Sequence, residues 1–283
     1  MRLMLGLTAF GFLCATAAAH PGVGIVMDSR GNVFYTDLSH VWKIAPGGAK
    51  SIAVWGVHTH ELYLDREDNL YGEHLWYEGD RTKKWGHRVW KLTADGKLSD
   101  VIPAREGFLQ DYSFVRDGRG NMYWAERGAQ TMLRKRTPAG RIETLGPVDI
   151  FRDIRWMTCT TEGTVYLIDG QDLRRVASDG TVDTVARDLG ERKLSQFQAG
   201  DRHILMGLWT DRAQNVFVAV YGARLVKKID RDGKVTIAAR SQVPWSPTGG
   251  LAVPNGDLWL LEYSITNAAR ARHIQRDGKE NIY

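Results

Sequence analysis

The sequence predicts an all-β protein, a six-bladed β-propeller with four antiparallel strands per blade. Three observations carry this prediction. A strand–turn–strand phrase recurs six times along almost the whole chain, about 37 to 52 residues apart. A second strand and a Gly-containing hairpin turn follow each copy, and such turns between alternating strands mark β-hairpins. The 283 residues include 30 glycines and 10 tryptophans but only 8 prolines and 2 cysteines, a profile of short strands, tight turns and aromatic packing. At 43% hydrophobic and 25% charged residues, the chain is too apolar for a disordered one.

The six copies run in order. The first strand of each ends near Asp28, Asp65, Asp117, Thr160, Asp211 and Val253. The second strands are Val33 to Asp37, Leu70 to His74, Met122 to Glu126, Val165 to Asp169, Val216 to Val220 and Leu258 to Glu262. The third strands begin near Val41, Val89, Leu133, Leu173, Val226 and His273, and each leads into a glycine turn. A fourth short strand follows each turn, as in Ile142 to Leu145 and Val235 to Ala238. A repeat of this length built from four strands is a propeller blade. One blade cannot bury both faces, so the six stack radially into a closed ring.

The first nineteen residues stand outside this pattern. A basic start at Arg2, an apolar run from Leu3 to Leu13 and small residues up to Ala19 form a secretory signal. Cleavage after Ala19 leaves His20 as the mature N-terminus and residues 20–283 as a single domain, secreted or periplasmic and monomeric. Removal of Arg2 lowers the net charge from +5 to +4, and removal of Cys14 leaves Cys159 alone, so no internal disulfide is expected. Nothing after the signal is long and apolar enough to anchor the chain in a membrane. The mild positive charge has no basic runs and does not indicate nucleic-acid binding.

The phrase G-x-x-x-D-x-x-G-N-x-[YF]-x-x-D, followed by W-K-[IL]-x-x-x-G, resembles the NHL-repeat and gluconolactonase (regucalcin)-like six-bladed propellers over His20 to Gly278. The resemblance implies a fold rather than an activity, because such propellers host hydrolases, lyases and binding modules. It also implies where a metal would sit, at the start of the inner strands. The residues there are Val23, His60, Tyr112, Arg155, Met206 and Thr248. None is a carboxylate or Asn, and calcium takes hard oxygen ligands, so the family's calcium site is not expected. A peptidylglycine amidating lyase, also built of NHL-type blades, holds zinc through three histidines at this position, and His60 matches one of them.

Placed on these blades, all eight histidines fall at the end of the ring where second strands finish, although their depletion from strand cores accounts for part of that clustering. His58 and His60 share one side of an extended segment. With His20 and His203 they form a candidate site for a divalent transition metal, zinc or copper. A free N-terminal His20 would add its α-amine to a copper site. Equally, the four imidazoles can bind loops and water separately. No organic cofactor is expected.

The second strands deliver Asp37, Glu73, Glu126, Asp169 and Glu262 to the same end. Their regular placement suits a structural role, capping backbone amides of the neighbouring segment. Glu73, beside His74, departs from that pattern. Tyr112 can act as a general base if a cation lowers its pKa. Arg155 can hold a carboxylate. Asp111, Arg152 and Asp153 lie on the same loops, where Arg and Asp can instead pair with one another. In blade two, residues 75–87 replace a short turn and are read as a lid or binding flap. Trp76 and Trp85, with Tyr77, Trp55, Trp156 and Trp245 nearby, can stack on a sugar or flat ring, or Trp76 and Trp85 can pair across the hairpin.

Two functions fit these residues. One is a metal-assisted hydrolase or lyase acting on a small oxygen-rich molecule, with Tyr112, Glu73 and Arg155 as catalytic candidates. The other is a non-catalytic module that binds a sugar, peptide or protein through the same face.

Overall fold

The recurring Asp builds its own turn. Asp28 Oδ1 accepts the N–H groups of Arg30 and Asn32 at 3.0 and 2.8 Å, and Asn32 Nδ2 returns to Oδ2 at 2.7 Å. Asp65 with Asn69, Asp117 with Asn121, and Asp211 with Asn215 repeat the arrangement. Asp side chains that bond backbone amides a few residues ahead favour turns over helix or strand, and each reversal sets a first strand against a second.

The computed structural model describes residues 21–79, 81–191 and 204–283. Blade one holds β1 (Ile25–Met27), β2 (Val33–Thr36), β3 (His40–Ile44) and β4 (Lys50–Trp55). Blade two holds β5 (Leu62–Leu64), β6 (Leu70–Tyr77), β7 (Trp85–Leu92) and β8 (Leu98–Glu106). Blade three holds β9 (Met122–Arg127), β10 (Thr131–Arg136) and β11 (Ile142–Thr144). Blade four holds β12 (Ile154–Cys159), β13 (Val165–Asp169), β14 (Asp172–Val176) and β15 (Val182–Ala186). Blade five holds β16 (Leu208–Thr210), β17 (Val216–Val220), β18 (Leu225–Ile229) and β19 (Val235–Arg240). Blade six holds β20 (Trp245–Ala252), β21 (Leu258–Ser264), β22 (Ala269–Ile274) and β23 (Glu280–Ile282). Each sheet is antiparallel in chain order, so the six predicted blades are present. The signal segment, His20 and His203 lie outside the described residues.

Three local expectations differ. In blade three the predicted inner strand reduces to one bridge, Arg116 with Met122, and one further bond from Tyr123 N–H to Val115 O. Ahead of it, Ser113 N–H turns to the Met122 sulfur instead of a ladder carbonyl. In blade two, residues 75–87 are mostly strand: β6 and β7 pair out to Leu75–His87, Trp76–Gly86 and Tyr77–Trp85. The predicted flap is thus a rigid, lengthened hairpin, because the alternating bulky residues continue the sheet. Trp76 does not pair with Trp85; it lies over Gly86, where any Cβ would collide with its indole, and Trp85 packs on Tyr77 with ring centres 4.5 Å apart. His273 is the third. It stacks on Trp259 and its Nε2 lies 2.8 Å from Asp257 in the β20–β21 hairpin, at the opposite end of the ring from the other described histidines.

The core lies between blades. Clusters of buried apolar residues fill five interfaces, such as Ile25, Tyr35 and Ile44 against Trp259 and Tyr263 between blades one and six. Full burial of one such aliphatic side chain contributes roughly 1.5–3 kcal/mol. The ring closes by this packing and by Tyr263, whose hydroxyl donates to Thr36 O at 3.0 Å. At the seam between blades two and three the contacts are of a different kind: the Arg116 guanidinium lies 5.3 Å from the Tyr63 ring centre and 5.1 Å from that of Tyr112, and Arg66 bonds Gly118 O.

Candidate functional site

That polar seam opens into a cavity of about 780 Å³. Blade two supplies His60, Glu61, Glu73 and Leu75; the 108–115 connector supplies Phe108, Asp111, Tyr112 and Phe114; blades three and four supply Trp124, Arg127, Arg155 and Trp156. A volume of this size suits a small-molecule ligand. Two backbone irregularities shape it. The connector, released from regular pairing, swings Tyr112 and Asp111 into the wall. A bulge in β12 between Ile154 and Met157 sets an extra residue against β13, and Arg155 and Trp156 occupy it. Bulges of this kind re-aim side chains.

The blade-two wall is acidic. His60 N–H donates to Glu73 Oε1 at 2.7 Å, and His60 Nδ1 lies 3.5 Å from the same oxygen. Glu73 is buried, and its Oε2 has no hydrogen-bond partner. Glu61 lines both this cavity and the neighbouring central channel. Burial, reinforced by the charge of Glu73 and opposed by His60, pushes the Glu61 carboxyl up to about 7, where it exchanges a proton near neutrality. Thr59, between the two histidines, is fully buried and points the other way; its hydroxyl donates to Glu73 O.

His58 and His60 face one another with ring centres 4.8 Å apart. His58 N–H donates to His74 Nδ1 at 2.9 Å, so that ring nitrogen of His74 is unprotonated. Burial, with the neighbouring His60, pulls the His58 imidazole below its ordinary pKa, and burial with Arg88 does the same to His74. Both are neutral at pH 7. His87 is buried in the lengthened hairpin between Gly107 O and Arg105. Among the described residues no three His, Cys, Asp or Glu side chains converge to hold a metal. Of the six inner-strand positions at which the resembling family holds its metal, Met206 and Thr248 are fully buried here.

Tyr112 behaves differently from the expected base. Burial raises its pKa, and Arg116 only partly opposes that, so the phenol stays protonated and keeps an O–H that can be donated to a ligand. Arg155 Nε bonds Asp153 at 2.7 Å and Arg152 pairs with Asp172 at 3.0 Å, so the loop arginines and aspartates do pair with each other; Arg155 nonetheless lines the cavity. Arg127 donates to Ile154 O at 2.5 Å.

The cavity therefore unites His60, Glu73, Asp111, Tyr112, Glu126, Arg155 and Trp156 from the residues singled out in the sequence. Trp76 sits over His74 and Gly86, Trp245 stacks under Arg270 at 4.3 Å, and Asp153 serves Arg155; these three are not among its lining residues. Trp85 stands at its rim, stacked 5.6 Å from Phe108, which lines it. The regular carboxylates are mostly structural. Asp37 caps the amides of Ser39 and His40 and takes the Trp42 indole N–H; Asp169 caps Arg152 and Asp153; Glu262 pairs with Arg270 and Arg272. Glu61, Phe108 and Arg127 were not singled out from the sequence. For Glu61 the signal was present, since the residue after His60 is an acid at the mouth of an inner strand. Phe108 and Arg127 belong to the cavity only through the packing of two blades.

No protein-family model matches the chain, and no curated protein matches it. Solved structures do. A streptogramin B lyase is 13% identical with a TM-score of 0.55, over 92% of this chain and 82% of that one. A gluconolactonase from Xanthomonas campestris is 12% identical with a TM-score of 0.56, over 84% and 81%. A calcium-binding regucalcin from Agrobacterium tumefaciens is 15% identical with a TM-score of 0.53, over 85% and 81%. At such identities the likeness is one of fold: the chain has the six-bladed propeller architecture that gluconolactonase/regucalcin-like proteins and streptogramin lyases share.

Proposed function

We propose that the protein is a hydrolase or lyase that acts on a small oxygen-rich molecule in the cavity between blades two and three. The observation that carries this reading is the convergence there of Glu73, His60, Tyr112 and Arg155 around a space of about 780 Å³. The lyase and gluconolactonase neighbours support the reaction class. Arg155 would hold a carboxylate or polarise a carbonyl. Tyr112, kept protonated by burial, would donate to the oxygen on which charge develops. Glu61 or Glu73 would take the proton.

A zinc or copper ion at His58 and His60 needs further ligands, because the described residues bring no third one to that point; His20 and His203 are the candidates. The chemistry above uses only the chain's own side chains. Export through the signal segment is part of the same proposal. The aromatic ladder Tyr77–Trp85–Phe108 at the rim supports the second reading, a non-catalytic sugar-binding module.

The test is a panel of lactones, esters and β-elimination substrates offered to the protein lacking residues 1–19, with metal content measured alongside. Turnover that falls about 100-fold or more in Arg155→Met supports the reading, the scale expected for loss of one charge-stabilising donor. Binding without turnover on every substrate supports the module instead. Stoichiometric zinc or copper, lost in a His58→Ala/His60→Ala variant, would establish the metal; retention by that variant would remove it from these residues.

A further inference from the structure

We propose that the acidic wall of this cavity binds a protonated amine, so that the ligand carries an ammonium group held by Glu73 and Glu61 as well as an oxygen-bearing end that faces Arg155. The inference rests on the cavity's being the ligand site, as proposed above, and adds the charge class of the ligand.

Glu73 provides the first reason. Its Oε1 is engaged by His60 N–H at 2.7 Å, but its Oε2 is buried with no donor. Leaving a buried carboxylate oxygen unpaired costs on the order of 1–3 kcal/mol; Asp37, the corresponding acid of blade one, has both its oxygens hydrogen-bonded. The second reason is Glu61, a second carboxyl that lines the same cavity as Glu73. The arginines that line the cavity belong to blades three and four, where Arg155 Nε bonds Asp153 and Arg127 bonds Ile154 O. At Glu73 Oε2 the wall thus holds an acceptor without a donor.

An ammonium group supplies what is missing. It presents three donors, and the faces of Trp124 and Trp156, which also line the cavity, favour a cation near them. Glu61 and Glu73 line the blade-two side, while Arg127 and Arg155 line the side of blades three and four together with Glu126, and this polarity suits a zwitterionic or amine-bearing cyclic ligand.

Benzylamine and benzyl alcohol, alike in shape and different in charge, are the probes. Each is titrated by calorimetry into the protein in the presence of a chelator, at about pH 8, where an alkylamine remains protonated. The expected result is that benzylamine binds about 10-fold more tightly than the alcohol, one desolvated cation contact's worth of preference. That preference should disappear in Glu73→Gln, which keeps the Oε1 acceptor for His60, and fall in Glu61→Gln; should one variant fail to fold, the other decides. Equal binding of the two probes, no saturable binding of either, or a preference unchanged in the variants would overturn the proposal. So would variants that alter only zinc affinity. Turnover of the ester panel without amine preference would sink this inference and leave the proposed reaction standing; amine preference without turnover would do the reverse.

Discussion

Asp117 is buried, and its carboxylate accepts the N–H groups of Arg119 and Asn121, the Asn121 amide and the Tyr123 hydroxyl. Asp117→Ala should cost about 3 kcal/mol, since it leaves several buried donors unpaired; urea unfolding measures this. Burial works against its ionisation, but the hydrogen bonds from Asn121 and Tyr123 outweigh it, and its pKa is lowered, as is that of Asp65 in the same turn of blade two. A carboxyl depressed in the folded state stabilises fully above its unfolded pKa. Stability from both turns should therefore hold at neutral pH and decline as pH falls below about 4. A melting temperature that does not change between neutral pH and pH of about 3 would contradict it. The D-x-x-x-N turn was legible because its partners are four residues apart in sequence. The environment of Glu61 was not, since burial, Glu73 and His60 reach it only after two blades have packed.

The lengthened β6–β7 hairpin shows the same division at the level of an element. Its length in place of a short turn suggested a flap, but strand pairing continues through Tyr77 and Trp85. Trp76 fills the space over Gly86 that any side chain would need. Gly86→Ala should displace that indole and cost about 1–3 kcal/mol as overpacking does; the melting temperature and the near-ultraviolet dichroism of tryptophan report it. An unchanged signal in both would mean that Trp76 does not rest there. The β12 bulge is the other decisive element. No residue type announces it, because the extra residue is defined only against β13, yet it carries Arg155 and Trp156 to the cavity.

At the scale of the whole molecule, a closed ring of six contiguous blades was readable because the repeat is written six times along the chain. Closure itself is non-covalent. Tyr263→Phe removes the bond from blade six to Thr36 O in blade one and should cost about 1 kcal/mol, seen as a lower urea midpoint with an unchanged slope. What the repeat did not disclose is that one seam differs from the others, and that the ligand cavity lies there, between Arg116 with its two tyrosines and the acidic wall of blade two. That location is the central claim. It is tested most directly by comparing turnover, on the best substrate of the lactone and ester panel, in the unsubstituted protein, in Tyr112→Phe and Arg155→Met, and in Arg187→Met, which alters the hollow beside Gln171 and Asp172 in blade four; Arg155 lines both spaces, so Tyr112 and Arg187 tell them apart. Turnover should fall about 10-fold or more in Tyr112→Phe and about 100-fold or more in Arg155→Met, as loss of a positioned donor or charge would give, and stay unchanged in Arg187→Met. Full activity in Tyr112→Phe, with loss in Arg187→Met, would place the chemistry in the blade-four hollow instead.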